Sequence, residues 1–173
     1  MSSICIDGFN LALTKGSGIA TYGRNLLANA RAIGLETQIL YGPARAREAS
    51  NLINETALTD AERPSEKLNR VQRFRDTYMS RFGRKAHGIL PSGEVIWPNR
   101  GDELPAASHF WAAQNLFQTA IRSFKKYGAE TPVTFEETAQ AGVPNVMHWT
   151  APLPIYAKTA PNLYTIHDLI PLR

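Results

Sequence analysis

The N-terminal part of the chain shows apolar runs separated by a glycine-rich stretch. Residues 3–7 predict a buried strand, and the stretch TKGSGIATYG follows it. Residues 19–33 then carry apolar side chains at helical spacing, with Gly34 as the C-cap. The run LETQILYG predicts a second strand. This order of strand, loop, helix and strand predicts the beginning of a parallel α/β sheet with a right-handed crossover.

The rest of the chain has a less regular pattern. Residues 45–58 and 60–84 look helical, whereas residues 88–109 are rich in glycine and proline and predict an irregular excursion with at most short strands. The stretch AAQNLFQTAIRSFKKYG predicts an amphipathic helix that ends near Gly128. After it, VPNVMHWTA and NLYTIHD predict two strands separated by the proline-rich turn PLPIYAKTAP. The predicted fold class is therefore α/β, a Rossmann-like parallel sheet flanked by helices.

The composition fits one globular domain. The chain has 173 residues, of which 43% are apolar and 20% are charged, so it is too short for two ordinary domains and too apolar for a disordered protein. Cys5 lies in an apolar run, where a lone thiol is typical of a core residue in a reducing compartment. The N-terminus lacks the pattern of a secretory signal, and prolines interrupt the uncharged residues 138–157. We therefore expect a cytoplasmic protein.

The net charge of +4 is distributed unevenly along the chain. Residues 63–85 contain eight basic side chains and two acidic ones. The favoured interpretation of this segment is an ordinary solvated helix that buries one apolar face. The alternative is a helix that contacts an anionic membrane, at the inner membrane, or a lipid-linked phosphate acceptor. The apolar stripe consists of Leu68, Val71, Phe74, Tyr78 and Phe82. No recognised nucleic-acid-binding motif accompanies the basic residues, so nucleic acid is not a predicted partner.

The glycine-rich loop is the first candidate site. Gly16, Ser17 and Gly18 lie between a predicted strand and a predicted helix, where backbone N–H groups suit a phosphate. A dinucleotide site would need G-x-G-x-x-G, but Thr21 stands at the third glycine position, and no Walker loop is present. The alternative interpretation is a tight turn that needs glycine for backbone reasons alone.

Two histidine-containing segments form the second candidate site. His167 and Asp168 follow the last predicted strand, and His148 lies at the end of the strand before it. In an open parallel sheet, ligands bind beyond the carboxyl ends of the strands. The alternatives are a turn-stabilising Asp168 and a histidine satisfied within the core. His87 and His109 have no partners at a metal-ligand spacing, and no metal site is predicted.

Taken together, two segments resemble the family-4 (group 1) retaining glycosyltransferases. KGSGIATYGRNLLANARAIG resembles their loop and first helix, often written G-I-G-R-Y-x-x-x-L, and MHWTAPLPIYAKTAPNLYTIHDLIPL resembles their paired strands, which end in T-[IV]-H-D-L-[IV]-P. The departures are Ala20 and Thr21, which stand where the family usually has Gly-Arg, and residues 43–140, which carry no assigned motif. The resemblance implies the N-terminal half of a GT-B fold, in which two Rossmann-like domains face each other across a cleft.

The resemblance also implies roles for the candidate residues. The loop of Gly16, Ser17 and Gly18 would approach the diphosphate of a nucleotide-sugar donor. His167 would contact a hydroxyl of the donor sugar as a catalytic residue, and Asp168 would shape its loop.

On the acceptor side, the resemblance implies that His148, Trp149 and Thr150 line the site. The acceptor would be a polysaccharide or a lipid-linked glycan, and the nucleotide sugar would be a co-substrate, with no bound cofactor or metal.

The family's E-x7-E motif, which contacts the donor from the C-terminal domain, does not occur here. We therefore expect residues 1–173 to be a single acceptor-side domain cut from a two-domain enzyme and inactive alone. Two alternatives stay open. One is a stand-alone Rossmann-like module that binds a phosphorylated ligand or a protein partner, and the other is a complete small α/β enzyme that uses His167 as an acid or base.

Overall fold

A computed structural model describes the chain over residues 2–11, 18–43, 69–89, 107–137 and 142–167. Within these ranges, the helices and strands in chain order are β1 Ser3–Asp7, α1 Gly18–Ala32, β2 Glu36–Tyr41, α2 Arg70–Ser80, β3 Arg84–Ile89, β4 His109–Ala112, α3 Leu116–Tyr127, β5 Thr131–Glu136, β6 Val146–Trp149, β7 Ile155–Ala157 and β8 Asn162–Tyr164. The predicted helix over residues 45–58 lies outside the described residues.

The strands form one sheet in the order β7-β5-β3-β4-β2-β1-β6-β8. All neighbouring strands are parallel except β3 and β4, which are antiparallel. The sheet therefore consists of two sets of parallel strands, which we call the main run, β4-β2-β1-β6-β8, and the second run, β7-β5-β3. The strands of the second run point in the opposite direction to those of the main run. Numbered by their order in the chain, the strands of the main run read 3-2-1-4-5, which is the order of doubly wound nucleotide-binding folds.

The sheet is curled so that its two edges meet. The side chain of Asn162 in β8 accepts a hydrogen bond from the backbone N–H of Ala157 in β7 at 2.7 Å and donates one to the carbonyl of Ala157 at 2.9 Å. This side-chain amide takes the place of backbone hydrogen bonding between the two edge strands, because it offers a donor and an acceptor side by side as a peptide group does. The eight-stranded sheet is therefore barrel-like. Its strands are mostly parallel and helices flank it, so the fold class is α/β.

The two faces of the sheet bury separate apolar clusters. On one face, Leu27 of α1 packs with Ile6 and Ile39 of the central strands. On the other face, the core includes Trp111 and Trp149, both fully buried, together with α3 residues. Central strands buried on both faces are typical of parallel α/β sheets. The core therefore fixes the carboxyl ends of β1 and β6 in position.

The predicted helices and strands are confirmed in several places. The structure contains α1 with Gly34 beyond its end at φ +84°, β2, the strand VMHW, and α3 with Gly128 as its C-cap at φ +64°.

Other parts of the prediction were wrong. Within the described residues, the helix predicted over residues 60–84 is the shorter α2. The capping box of Asn69 and Gln72 begins it, and β3 follows at Arg84. Strand β5 had no predicted counterpart, and the predicted turn PLPIYAKTAP contains the edge strand β7. The sheet is also not wholly parallel, because β3 pairs antiparallel with β4.

Candidate functional site

The carboxyl ends of β1 and β6 form the topological switch point of the main run. From β1 the chain crosses to β2 on one side, and the later strands β6 and β8 lie on the other. In such sheets a crevice opens where the strand order reverses, and ligands bind there. The side chains at this position are therefore the candidates for contact with a ligand.

Asp7 and Thr150 join the two strands at the switch point. Asp7 is fully buried, and its carboxylate accepts hydrogen bonds from the backbone N–H groups of Thr150 and, at 3.2 Å, of Phe9. Burial raises the pKa of Asp7 because the charged form is desolvated, and the two N–H donors oppose that shift. Asp7 therefore fixes the backbone of Thr150.

The carbonyl of Thr150 in turn fixes the ring of His167. Nε2 of His167 lies 2.7 Å from this carbonyl oxygen. Because a carbonyl only accepts, Nε2 carries the proton, and in the neutral ring Nδ1 is the nitrogen that can accept a hydrogen bond. The ring of His167 is exposed and meets the ring of Tyr22 edge-on, with centroids 5.1 Å apart. His167 is therefore held in one orientation at the surface of the switch point.

Tyr22, His148 and Thr165 form a hydrogen-bonded triangle beside His167. The hydroxyl of Thr165 lies 2.7 Å from Nε2 of His148, and the Tyr22 hydroxyl lies 3.1 Å from the Thr165 hydroxyl and 3.3 Å from the same Nε2. Partial burial lowers the pKa of His148, because the imidazolium is desolvated. Each of the two hydroxyls can donate or accept, so the triangle is satisfied with the proton of neutral His148 on either ring nitrogen. We call Tyr22, His148, Thr150, Thr165 and His167 the rim cluster.

Trp149 does not lie with the rim cluster. Successive residues of a strand point to opposite faces, so His148 and Trp149 diverge. Trp149 is fully buried in the core, where its indole N–H donates to Asn162 at 2.9 Å and its ring stacks on Tyr164. Its contacts hold β6 against β8, and the structure does not bring it together with His148 and Thr150, beside which the resemblance placed it.

Gly18 is the part of the predicted phosphate loop that the structure describes. It is the first residue of α1, its φ is not positive, and a Cβ added to it would meet nothing within 4 Å. Neither backbone conformation nor packing requires glycine there. A Cβ added to Gly23, five residues further along α1, would lie 3.7 Å from the methyl of Thr150, so the first turns of α1 reach the switch point. Gly16, Ser17 and Asp168 lie outside the described residues.

The other two histidines lie away from the rim cluster. Nδ1 of His87 contacts the Glu136 carboxylate at 2.6 Å on the second run, and Nε2 of His109 contacts Glu36 at 3.3 Å. Among the described residues, no group of three or more His, Cys, Asp or Glu side chains is arranged to hold a metal ion. The sequence reasoning found His148, Thr150 and His167 but missed Asp7 as a partner, and it missed Tyr22 and Thr165 entirely.

The rim cluster can hold a polyhydroxylated ligand. It presents one imidazole and two hydroxyls that are hydrogen-bonded to one another, and a second imidazole, His167, packed against the ring of Tyr22. Tyr22 belongs to the first turns of α1, whose N-terminus carries a partial positive charge that favours an anion. Both hydroxyls can act as donor or acceptor. This combination suits sugar hydroxyls next to a phosphate.

Comparisons with known proteins leave the family open. No protein-family model matches the chain, and neither a curated protein nor a solved structure shows significant similarity to it.

Proposed function

We propose that this chain is the acceptor-side, Rossmann-like half of a GT-B glycosyltransferase that moves a sugar from a nucleotide-sugar donor to a polysaccharide or lipid-linked glycan. The observation that carries the proposal is the meeting of the rim cluster with the start of α1 at the switch point between β1 and β6. That position is where doubly wound sheets bind ligands.

The fixed tautomer of His167 supports a role at the donor sugar. With Nε2 bound to the Thr150 carbonyl, Nδ1 is left to accept from a sugar hydroxyl. A ring held by a backbone carbonyl and by the edge of Tyr22 loses little further freedom when the sugar binds. His167 is therefore the residue whose loss should affect transfer most.

Gly18 supports a nearby diphosphate. A glycine that the backbone does not need is explained when a ligand approaches the helix N-terminus closely. In the proposed reaction the bond between the sugar's anomeric carbon and the diphosphate oxygen breaks, and a bond to an acceptor hydroxyl oxygen forms. The acceptor's proton leaves with the departing diphosphate or to water. The second domain of the proposed enzyme would supply the remaining donor contacts.

The test is release of nucleoside diphosphate by the full-length gene product, measured with a panel of nucleotide sugars with and without glycan acceptors. We expect His167→Ala to lower turnover by roughly a hundredfold or more, since a group positioned on the reacting sugar contributes on that scale. His87→Ala is the matched control, because that half-exposed histidine pairs with Glu136 on the second run.

Two outcomes would contradict the proposal. Equal losses in His167→Ala and His87→Ala would mean that His167 has no special role. Binding of sugar phosphates without any transfer by the full-length protein would favour the stand-alone binding module.

A further inference from the structure

Helix α2 exposes its apolar residues and buries polar ones. Its buried residues are Thr77 and Ser80, and the Ser80 hydroxyl bonds the Thr131 hydroxyl of β5 at 2.8 Å. By contrast, Val71 is 76% exposed and Phe74 is 54% exposed. A surface helix normally turns its apolar stripe to the core. The favoured interpretation of this segment, in which the stripe is buried, was therefore wrong for the described residues.

The exposed rings on α2 are packed into a row. Phe74 stacks near Tyr78 with centroids 6.5 Å apart, and Tyr78 meets Phe82 at 5.7 Å and Tyr127 of α3 at 6.0 Å. We call this surface the α2–α3 patch. Its exposed apolar members are Val71, Phe74, Tyr78, Met79, Phe82 and Phe124. The contacts among Phe74, Tyr78, Phe82 and Tyr127 make a continuous row of rings across two adjacent helices.

Cations lie directly on these rings. The Arg81 guanidinium is 4.0 Å from the ring centroid of Tyr78 and 4.8 Å from that of Phe82, and the Lys126 ammonium is 4.1 Å from that of Phe74. Residues 69–84 and α3 together carry eight basic side chains and a single acidic one, Asp76. Asp76 is already paired with Arg84. The patch therefore combines exposed apolar rings with an almost unopposed positive charge.

We infer that the α2–α3 patch docks on a lipid bilayer whose surface is anionic. An interfacial helix places its apolar residues at the boundary between headgroups and acyl chains, while arginines and lysines stay at the level of the lipid phosphates. Arg81 and Lys126 suit this arrangement, because their charged ends lie over the exposed rings, where lipid phosphates at the same level can meet them. The inference does not depend on the proposed transferase activity.

Two other occupants fit the patch less well. A protein partner would bury the Lys126 ammonium at the centre of an interface, where lysine is depleted because its desolvation is costly. Single-stranded nucleic acid would use stacked rings and cations but would leave the exposed Val71 and Met79 without a favourable contact. A bilayer accommodates the aliphatic residues, the rings and the cations together.

The test is co-sedimentation of the chain with vesicles. We expect strong binding to vesicles of phosphatidylcholine and phosphatidylglycerol in equal amounts and weak binding to phosphatidylcholine alone. The double variant Phe74→Ser/Phe82→Ser should lose at least about tenfold in partitioning, because each ring contributes apolar area. The double variant Arg81→Glu/Lys126→Glu, which reverses the cations on the rings, should lose a similar factor and become insensitive to the anionic lipid.

A matched control variant changes residues at the end of another helix, α1. Ile33 is 77% exposed just after α1, and Arg31 is exposed in its last turn, so Ile33→Ser/Arg31→Glu changes similar chemistry elsewhere on the surface. Circular dichroism melting shows that each variant is folded. Absence of vesicle binding by the parent chain would overturn the inference, as would equal binding to neutral and anionic vesicles.

Three further results would also overturn the inference. The first is binding that the patch variants do not change. The second is self-association of the parent chain that Phe74→Ser/Phe82→Ser abolishes without any vesicle binding, which would make the occupant a second copy. The third is binding to a single-stranded RNA oligonucleotide in place of vesicles.

Discussion

The rim cluster and the α2–α3 patch depart from ordinary folding preferences in opposite directions. At the rim, a carboxylate is fully buried and two imidazoles are held by fixed hydrogen bonds. At the patch, aromatic and aliphatic side chains stand in water while a threonine and a serine are buried beneath them. Both departures cost stability, and such costs concentrate where a protein binds something. The difference is that the rim suits a small polar ligand, whereas the patch suits an extended surface.

The largest expected contrast is between the core face of α1 and the exposed face of α2. Leu27→Ala should lower the free energy of unfolding by about 2–5 kcal/mol, because a fully buried leucine leaves a cavity. Phe74→Ala should change it by less than about 0.5 kcal/mol, because the ring is more than half exposed. Urea denaturation of both variants measures the difference. A loss of several kcal/mol in Phe74→Ala would mean that the patch is covered.

The carboxylate of Asp7 should make stability depend on pH at the rim. Because the pKa of Asp7 is raised in the folded state, its contribution to the free energy of unfolding is greatest at pH values below the usual carboxyl pKa. The contribution is lost as pH rises through the raised value. Asp7→Asn should remove this slope, and should cost about 1–3 kcal/mol at low pH because its single amide oxygen can accept from only one of the Thr150 and Phe9 N–H groups.

Urea denaturation of the parent and of Asp7→Asn across the acidic range measures the Asp7 effect. If the free energy of unfolding varies with pH in the same way for both proteins, Asp7 titrates alike in the folded and unfolded states, and the expected effect is contradicted.

His148 should produce the opposite pH dependence. Its lowered pKa means that its contribution to stability is present above the ordinary imidazole pKa and is lost as pH falls through the lowered value. His148→Ala should flatten this loss. Tyr22→Phe is the matched control, since it removes one hydroxyl of the triangle and keeps the titrating ring. On acidification, the parent protein should lose more stability than His148→Ala does. Equal losses in the two proteins would contradict this assignment.

Gly18 should separate ligand binding from folding. Gly18→Ala should leave stability unchanged or raise it by about 0.4–1 kcal/mol, because the backbone is compatible and the space around Gly18 is open. The same change should weaken binding of a nucleotide sugar several-fold if the diphosphate approaches this position. Calorimetric titration with a nucleotide sugar measures binding, and thermal melting measures stability. Unchanged binding would remove Gly18 from the proposed site.

Periodicity predicted most of the main run but little of the second. The helices α1 and α3 and the strands β2 and β6 follow from apolar spacing and glycine caps. Strand β3 has the sequence RKAHGI, whose charged and small residues give no alternating signal, and its place beside β4 depends on pairing across the sheet. Strand β7 has only three residues at an edge. Short or polar strands depend on tertiary contacts, so the local sequence could not reveal them.

The candidate site was predicted in part for the same reason. His148 and His167 stand at strand ends that the sequence reveals, so their convergence could be expected. Asp7 gains its importance only from Thr150, which lies 143 positions away. For α2, the sequence showed the apolar stripe but not which face the core would take. Thr77 and Ser80 turn inward because α2 packs on α3 and β5, which is a property of the assembled fold.

The most direct test of the rim cluster is ¹⁵N NMR of the histidine side chains during titration with a nucleotide sugar. The account predicts that neutral His167 carries its proton on Nε2, and that its Nδ1 resonance shifts on ligand binding while the resonances of His87 stay in place. Loss of the shift in Gly18→Ala would tie the imidazole to the phosphate position. A His167 ring that carries its proton on Nδ1, or that ignores every nucleotide sugar, would contradict the account.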